Sequence, residues 1–175
     1  DHVNTPAFLA MLPEVKGLKG LDIGCGEGYN TRKIAEFGAK MSAIDISPTF
    51  IKYAKELEEK EPFDIEYREA SAVELPFDSE SFDFAVSTMA FMDIPETDKA
   101  IKEAWRILKP DGFLQFSILH PCFFTPKWEW IRDENGKQIA LKCGDYFKEL
   151  KGGVDTWIFS TVPDNLRGKV AKFKT

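Results

Sequence analysis

The sequence predicts an α/β protein, with a mostly parallel sheet and helices on both faces, and then an irregular aromatic-rich C-terminal segment containing a β-hairpin. Three observations carry this. As far as Leu119, apolar runs of strand length alternate with amphipathic runs of helix length. A glycine-rich turn joins the first of those strands to the helix after it. Beyond Leu119 the alternation stops, and prolines, phenylalanines and tryptophans are scattered without a period.

The elements follow in order. Thr5-Pro6 reads as a helix cap with proline at the first position, opening a short helix through Leu12. Leu18 to Ile23 is a compact apolar run suited to a buried strand. Tyr29 to Phe37 is helical, with Gly38 as its stop. Met41 to Ile44 is the second strand, ending at Asp45. Ser47-Pro48 repeats the cap signal, and Phe50, Ile51, Ala54 and Leu57 share a helical face until Pro62. Ile65 and Tyr67 mark a third strand, and Phe82 to Val86 a fourth. Glu96 to Leu108 is a helix whose Ile101, Ala104, Trp105 and Leu108 keep helical spacing. Lys109 to Gly112 is a turn, and Phe113 to Leu119 a fifth strand. Residues 128–141 form a hairpin about the turn 133–136. Trp157 to Val162 is a further apolar run.

Composition narrows the classes. A chain of 175 residues with 43% hydrophobic and 30% charged residues reads as a single domain, 1–175, with its core at about 15–120 and a substrate-side part at 121–175. Such a chain buries about 70% of its unfolded surface and needs no disulfides. Its 23 basic and 29 acidic residues leave a net charge of −6, which argues against a nucleic-acid footprint. Three cysteines, an odd number at irregular spacing, read as reduced thiols in the cytoplasm. No apolar run reaches the ~20 residues that span a bilayer, so no membrane partner is expected.

In a parallel sheet, ligands bind beyond the carboxyl ends of the strands. Residues 21–28, LDIGCGEG, lie at such an end. Gly24, Gly26 and Gly28 permit positive φ and close backbone approach, and the helix beyond offers free N–H groups. A glycine turn alone is often only a turn. Asp45, at the end of the second strand, is placed to accept both hydroxyls of a ribose. Asp22, just before the loop, repels a pyrophosphate and attracts an ammonium or sulfonium. Tyr29 stands where a dinucleotide fingerprint has its last glycine. A cationic, ribose-bearing ligand satisfies all three, which points to S-adenosylmethionine.

Here the sequence resembles the class I S-adenosylmethionine-dependent methyltransferases, in their type 11 branch. The resemblance covers about Leu18 to Leu119. It rests on LDIGCGEG, on AIDIS at 43–47, on ELPFDSESFDFAVS at 74–87 and on ILKPDGFLQFS at 107–117. It implies a Rossmann-like fold and a site in which Gly24 and Gly26, flanked by Asp22, Cys25 and Gly28, line the methionine end of the cofactor. Asp45 then holds the ribose and Ile46 packs on adenine. The family's usual adenine-binding aspartate is replaced here by Ser71, so the backbone of Ala72 is the substitute. Ser87 and Thr88 lie beneath the sulfonium.

Methyl transfer needs alignment and water exclusion more than acid–base catalysis, and a base only when the acceptor loses a proton. His120, after the fifth strand, is the one candidate base, against the simpler reading that it bonds a turn. Phe91, Met92, Phe123 and Trp128, with Phe124 and Trp130, are candidates to wall an acceptor pocket, although such residues are more often core. Cys25, His120, Cys122 and Cys143 lack metal-ligand spacing, so no metal is expected. The implied activity is methyl transfer to a small-molecule acceptor. Two alternatives stand beside it: a catalytically silent cofactor-binding module that serves as a protein partner, and a nicotinamide-dependent oxidoreductase. No clear amphipathic helix follows Leu119 where the family has one, which reads as truncation or an inserted hairpin.

Overall fold

A computed structural model describes residues 4–120 and 125–148, together with the backbone of two short strands at 154–158 and 170–174. The chain divides into two compact units, Asp1–Ile118 and Leu119–Thr175.

The first unit holds five parallel strands, β1 (Lys19–Ile23), β2 (Lys40–Asp45), β3 (Glu66–Glu69), β4 (Phe82–Thr88) and β5 (Leu108–Ser117). Their order is β3-β2-β1-β4-β5. The chain winds outward from β1 to β3, then crosses back to β4, so the order reverses between β1 and β4. That reversal opens a crevice at the strand tips.

The sheet is buried on both sides because its residues alternate. Leu21, Ile23, Ile44 and Ala85 face one way and pack with Ala100, Ala104 and Ile107 of helix α4 (Thr97–Ile107). Met41, Ala43, Tyr67, Phe84 and Val86 face the other, toward α1 (Asn4–Ala10), α2 (Tyr29–Glu36) and α3 (Pro48–Lys60). Asp22 lies on that second face, a carboxylate in an otherwise apolar layer. The helix signals act largely as read. Ser47 accepts the Phe50 N–H at 3.4 Å with Pro48 in the first turn, and Gly38 stops α2 at φ +85°. Buried Arg32 ties α2 to α3, bonding Glu58 at 2.9 Å and the Glu61 carbonyl at 2.7 Å.

Three boundaries differ from expectation. Thr5 lies inside α1 rather than capping it, and its hydroxyl donates to Asn30 at 2.9 Å. Lys109 to Gly112 does not separate helix from strand. Phe82 pairs with Leu108 but Phe84 with Phe113, so these residues bulge out within β5, with Asp111 at φ +67°. Phe91 to Asp93 form a short 3-10 turn with no periodic signature.

The second unit contains the expected hairpin. Strands β6 (Lys127–Arg132) and β7 (Gln138–Gly144) pair antiparallel around a turn in which Asp133 accepts the N–H groups of Asn135 and Lys137, each at 2.9 Å. A second antiparallel pair joins β8 (Val154–Ile158) to β9 (Val170–Lys174). Of the apolar run Trp157 to Val162, Trp157 and Ile158 lie in β8, and the rest lies outside the described residues.

Candidate functional site

The glycine loop is built by hydrogen bonds to the tip of β2. Gly24 and Cys25 both donate to the Ile44 carbonyl at 2.9 Å. Gly26 donates to Asp45 Oδ2 and Ser47 to Asp45 Oδ1, each at 2.8 Å. Asp45 is thereby held in one orientation, with the second lone pair of each oxygen still able to accept. Two glycines are sterically required. At Gly28 (φ +85°) a Cβ would sit 2.4 Å from Tyr67 Oη, and at Gly24 (φ +77°) 2.5 Å from Ala90 Cβ. A Cβ on Gly26 would meet nothing within 4 Å, so the loop tip is bare backbone.

Asp22 is buried beneath the loop. Thr31 donates to its Oδ2 at 2.6 Å, while Oδ1 has no partner. Burial pushes its pKa up to about 6; the Thr31 bond opposes the rise and the nearby Asp45 adds to it. An orphaned, desolvated carboxylate oxygen is a receptor for a cation. Burial, and then the charges of Asp22 and Asp45, raise the Cys25 thiol as well, so Cys25 is a neutral wall and not a nucleophile. Ile46, next to Asp45, is 73% exposed, an apolar side chain presented at the strand tips.

Ser71 and Ala72 lie on the segment between β3 and β4. Ser71 Oγ accepts the Val73 N–H at 3.4 Å, and Ala72 packs against the α4-side core. Two residues hold this segment that the sequence reading passed over. Glu103 accepts the Leu75 N–H at 2.8 Å, and Arg106 bonds the carbonyls of Leu75 and Phe77. Their spacing on α4 was the only available signal.

The strand tips sort the remaining candidates. Ser87 is fully buried and donates to the Ile23 carbonyl at 2.8 Å, joining β4 to β1 on the α4 side. Thr88 faces the opposite side, level with Ser117 of β5. Phe91 is a correction: it is 2% exposed in the core and meets Phe116 edge-on at 5.5 Å, because the short turn folds it inward, so it walls no pocket. Met92, beside it, is exposed. His120 and Trp128 belong to the second unit, where exposed Trp128 lines a cavity of about 480 Å³ with Lys127, Lys142 and Cys143. Phe123 lies outside the described residues. Among the described residues no cluster of three or more histidine, cysteine or acidic side chains is arranged to hold a metal.

A reversed parallel sheet with a bare glycine turn at one strand tip and an oriented carboxylate at the next defines a Rossmann-like fold. Residues 21–116 match the family described as the methyltransferase domain, and the chain belongs to it. A solved S-adenosylmethionine-dependent methyltransferase from Mesorhizobium loti superposes with a TM-score of 0.72 at 30% identity, covering 81% of this chain and 64% of that one. Among curated relatives, a probable phthiotriol/phenolphthiotriol dimycocerosates methyltransferase of Mycobacterium ulcerans is 28% identical over 88% of this chain and 59% of its own. A ubiquinone biosynthesis O-methyltransferase of Coxiella burnetii is 30% identical over 70% of this chain and 53% of its own. The chain thus spans little more than half the length of these curated relatives. Family membership sets the nicotinamide-dependent reading aside.

Proposed function

We propose that this chain transfers the methyl group of S-adenosylmethionine to a small-molecule acceptor. The observation that carries it is the paired carboxylates: Asp45, oriented by two backbone N–H groups at the β2 tip, and Asp22, buried with one unpaired oxygen. One suits a ribose diol and the other a positive charge. When bound, S-adenosylmethionine supplies an electrophilic sulfonium methyl.

The chain's own residues do the rest. Asp45 accepts from the ribose hydroxyls, and exposed Ile46 covers one face of the adenine. The segment of Ser71 and Ala72, clamped by Glu103 and Arg106, borders the adenine edge with backbone rather than a carboxylate. Gly24 and Gly26 let the backbone approach the chain that bears the sulfur. No residue has to activate the methyl, so rate comes from alignment and from keeping water out. The O-methyltransferase among the relatives makes a hydroxyl the favoured acceptor group. The acidic balance argues for a small molecule rather than a nucleic acid, and the odd cysteine count for the cytoplasm. Among the described residues no helix is long and apolar enough to cross a membrane.

Isothermal titration with S-adenosylhomocysteine tests the first half of this reading, and binding is the expected result. Turnover of a hydroxylated acceptor panel tests the second. Binding without any transfer would favour a silent module.

A further inference from the structure

A cavity of about 570 Å³ lies between α2 and α3, lined by none of the cofactor-site residues described above. Tyr29 walls one side, and Tyr53, Leu57 and Phe63 wall the other. Both tyrosines are about half exposed. On α3 the exposed positions Lys52, Lys55, Glu56 and Glu59 are charged, whereas the edge turned to α2 carries Tyr53 and Leu57, one turn apart. Single exposed apolar side chains are ordinary. Four on the walls of one hollow of ligand size mark a place where something binds.

The charges of the cavity define the ligand. Its two cations are already matched: Arg32 by Glu58 at 2.9 Å and Glu61 at 3.2 Å, and Lys33 by Glu36 at 3.0 Å. The Arg32 guanidinium also lies 4.7 Å from the centre of the Phe63 ring, so that ring face is taken. Glu27, exposed on the glycine loop, has no ion-pair partner among the described residues. The walls thus set three carboxylates, Glu27, Glu36 and Glu61, against two engaged cations. An anion would find no free cation here. An organic cation finds the unmatched Glu27 carboxylate, the negative ring faces of Tyr29 and Tyr53, and apolar contact from Leu57.

We propose that this cavity is a second binding site, for a small organic cation with an apolar body, of the alkyl quaternary ammonium class. Its head group lies by Glu27, Tyr29 and Tyr53, and its apolar body lies along Leu57 toward Phe63. The position separates it from methyl transfer. Helix α3 starts at the tip of β2 and runs away from it for 13 residues, about 20 Å at 1.5 Å per residue, and Phe63 lies beyond its end. The occupant is therefore not the methyl acceptor. It meets the glycine loop only from outside, at Glu27 between Gly26 and Gly28.

The probe is hexyltrimethylammonium, with hexanol and hexyl sulfate as its neutral and anionic counterparts. The full chain, isotope-labelled at the amides of its four tyrosines, is titrated by NMR. Saturable shifts are expected at Tyr29 and Tyr53, with Tyr146 as the unmoved reference. The cation should bind about fivefold or more tightly than the alcohol, and the sulfate should not bind. Tyr53→Leu keeps the apolar bulk and removes the ring, so it should weaken the cation about threefold or more and leave the alcohol within about twofold. Glu27→Gln, at an exposed position, is the second variant and should weaken the cation alone. Equal affinity for cation and alcohol, tighter binding of the sulfate, or no saturable shift would overturn the assignment. The cation titration is repeated in saturating S-adenosylhomocysteine. Shifts that persist support a separate site, and shifts that the nucleoside abolishes place the cation in the cofactor site and overturn the proposal. Thermal melts check that each variant is folded.

Discussion

Asp45→Ala removes the carboxylate on which the ribose assignment depends. In the structure both its oxygens are already engaged, by Gly26 at 2.8 Å and Ser47 at 2.8 Å, so the ribose hydroxyls would donate to the remaining lone pairs. Hydrogen bonds to a charged group contribute about 1.5–3 kcal/mol. Losing that interaction should raise the Kd for S-adenosylhomocysteine roughly 10- to 150-fold. The ribose is common to both nucleosides, so isothermal titration should show the same factor for 5′-methylthioadenosine. Asp45→Asn keeps one acceptor for the Gly26 N–H and loses the charge, and should fall between wild type and Asp45→Ala. The reasoning is refuted if Asp45→Ala binds both ligands as wild type does, or if only S-adenosylhomocysteine weakens.

Three further predictions concern the buried layer. Asp22 has a folded pKa of about 6 against 3.8. Between those values the folded state therefore holds more protons than the unfolded one, and stability falls as pH rises through this window. At neutral pH the cost is on the order of 2–3 kcal/mol, so Asp22→Asn should melt above wild type at pH 7.5 and level with it near pH 4; the opposite trend would count against burial as the cause. Gly28→Ala meets both a positive φ and Tyr67 Oη at 2.4 Å, and should destabilise by about 2–3 kcal/mol in a denaturant melt. Ser87→Ala should cost about 1 kcal/mol of stability through the lost bond to Ile23 while leaving S-adenosylhomocysteine affinity within twofold; a large affinity loss would instead mean that Ser87 touches the cofactor.

Much of this architecture was legible in residue order alone. Strand and helix periods, capping at Ser47, the glycines at 24 and 28 and the carboxylate after β2 are local consequences of local sequence, since backbone φ, hydrophobic period and cap chemistry each act within a few residues. The hairpin turn at 133–136 was legible for the same reason. What a strand-tip residue faces is another matter. Ser87 and Thr88 are adjacent in sequence, yet the pleat sends one into a bond with Ile23 and the other to the opposite face beside Ser117. Phe91 read as a pocket wall until a short turn folded it into the core. Glu103 and Arg106 look like surface charges of a helix and instead clamp a loop some 28 to 31 residues earlier in the chain. Register, facing and long-range hydrogen bonds depend on which distant strands pair, and pairing is a property of the folded sheet rather than of any short stretch of its residues.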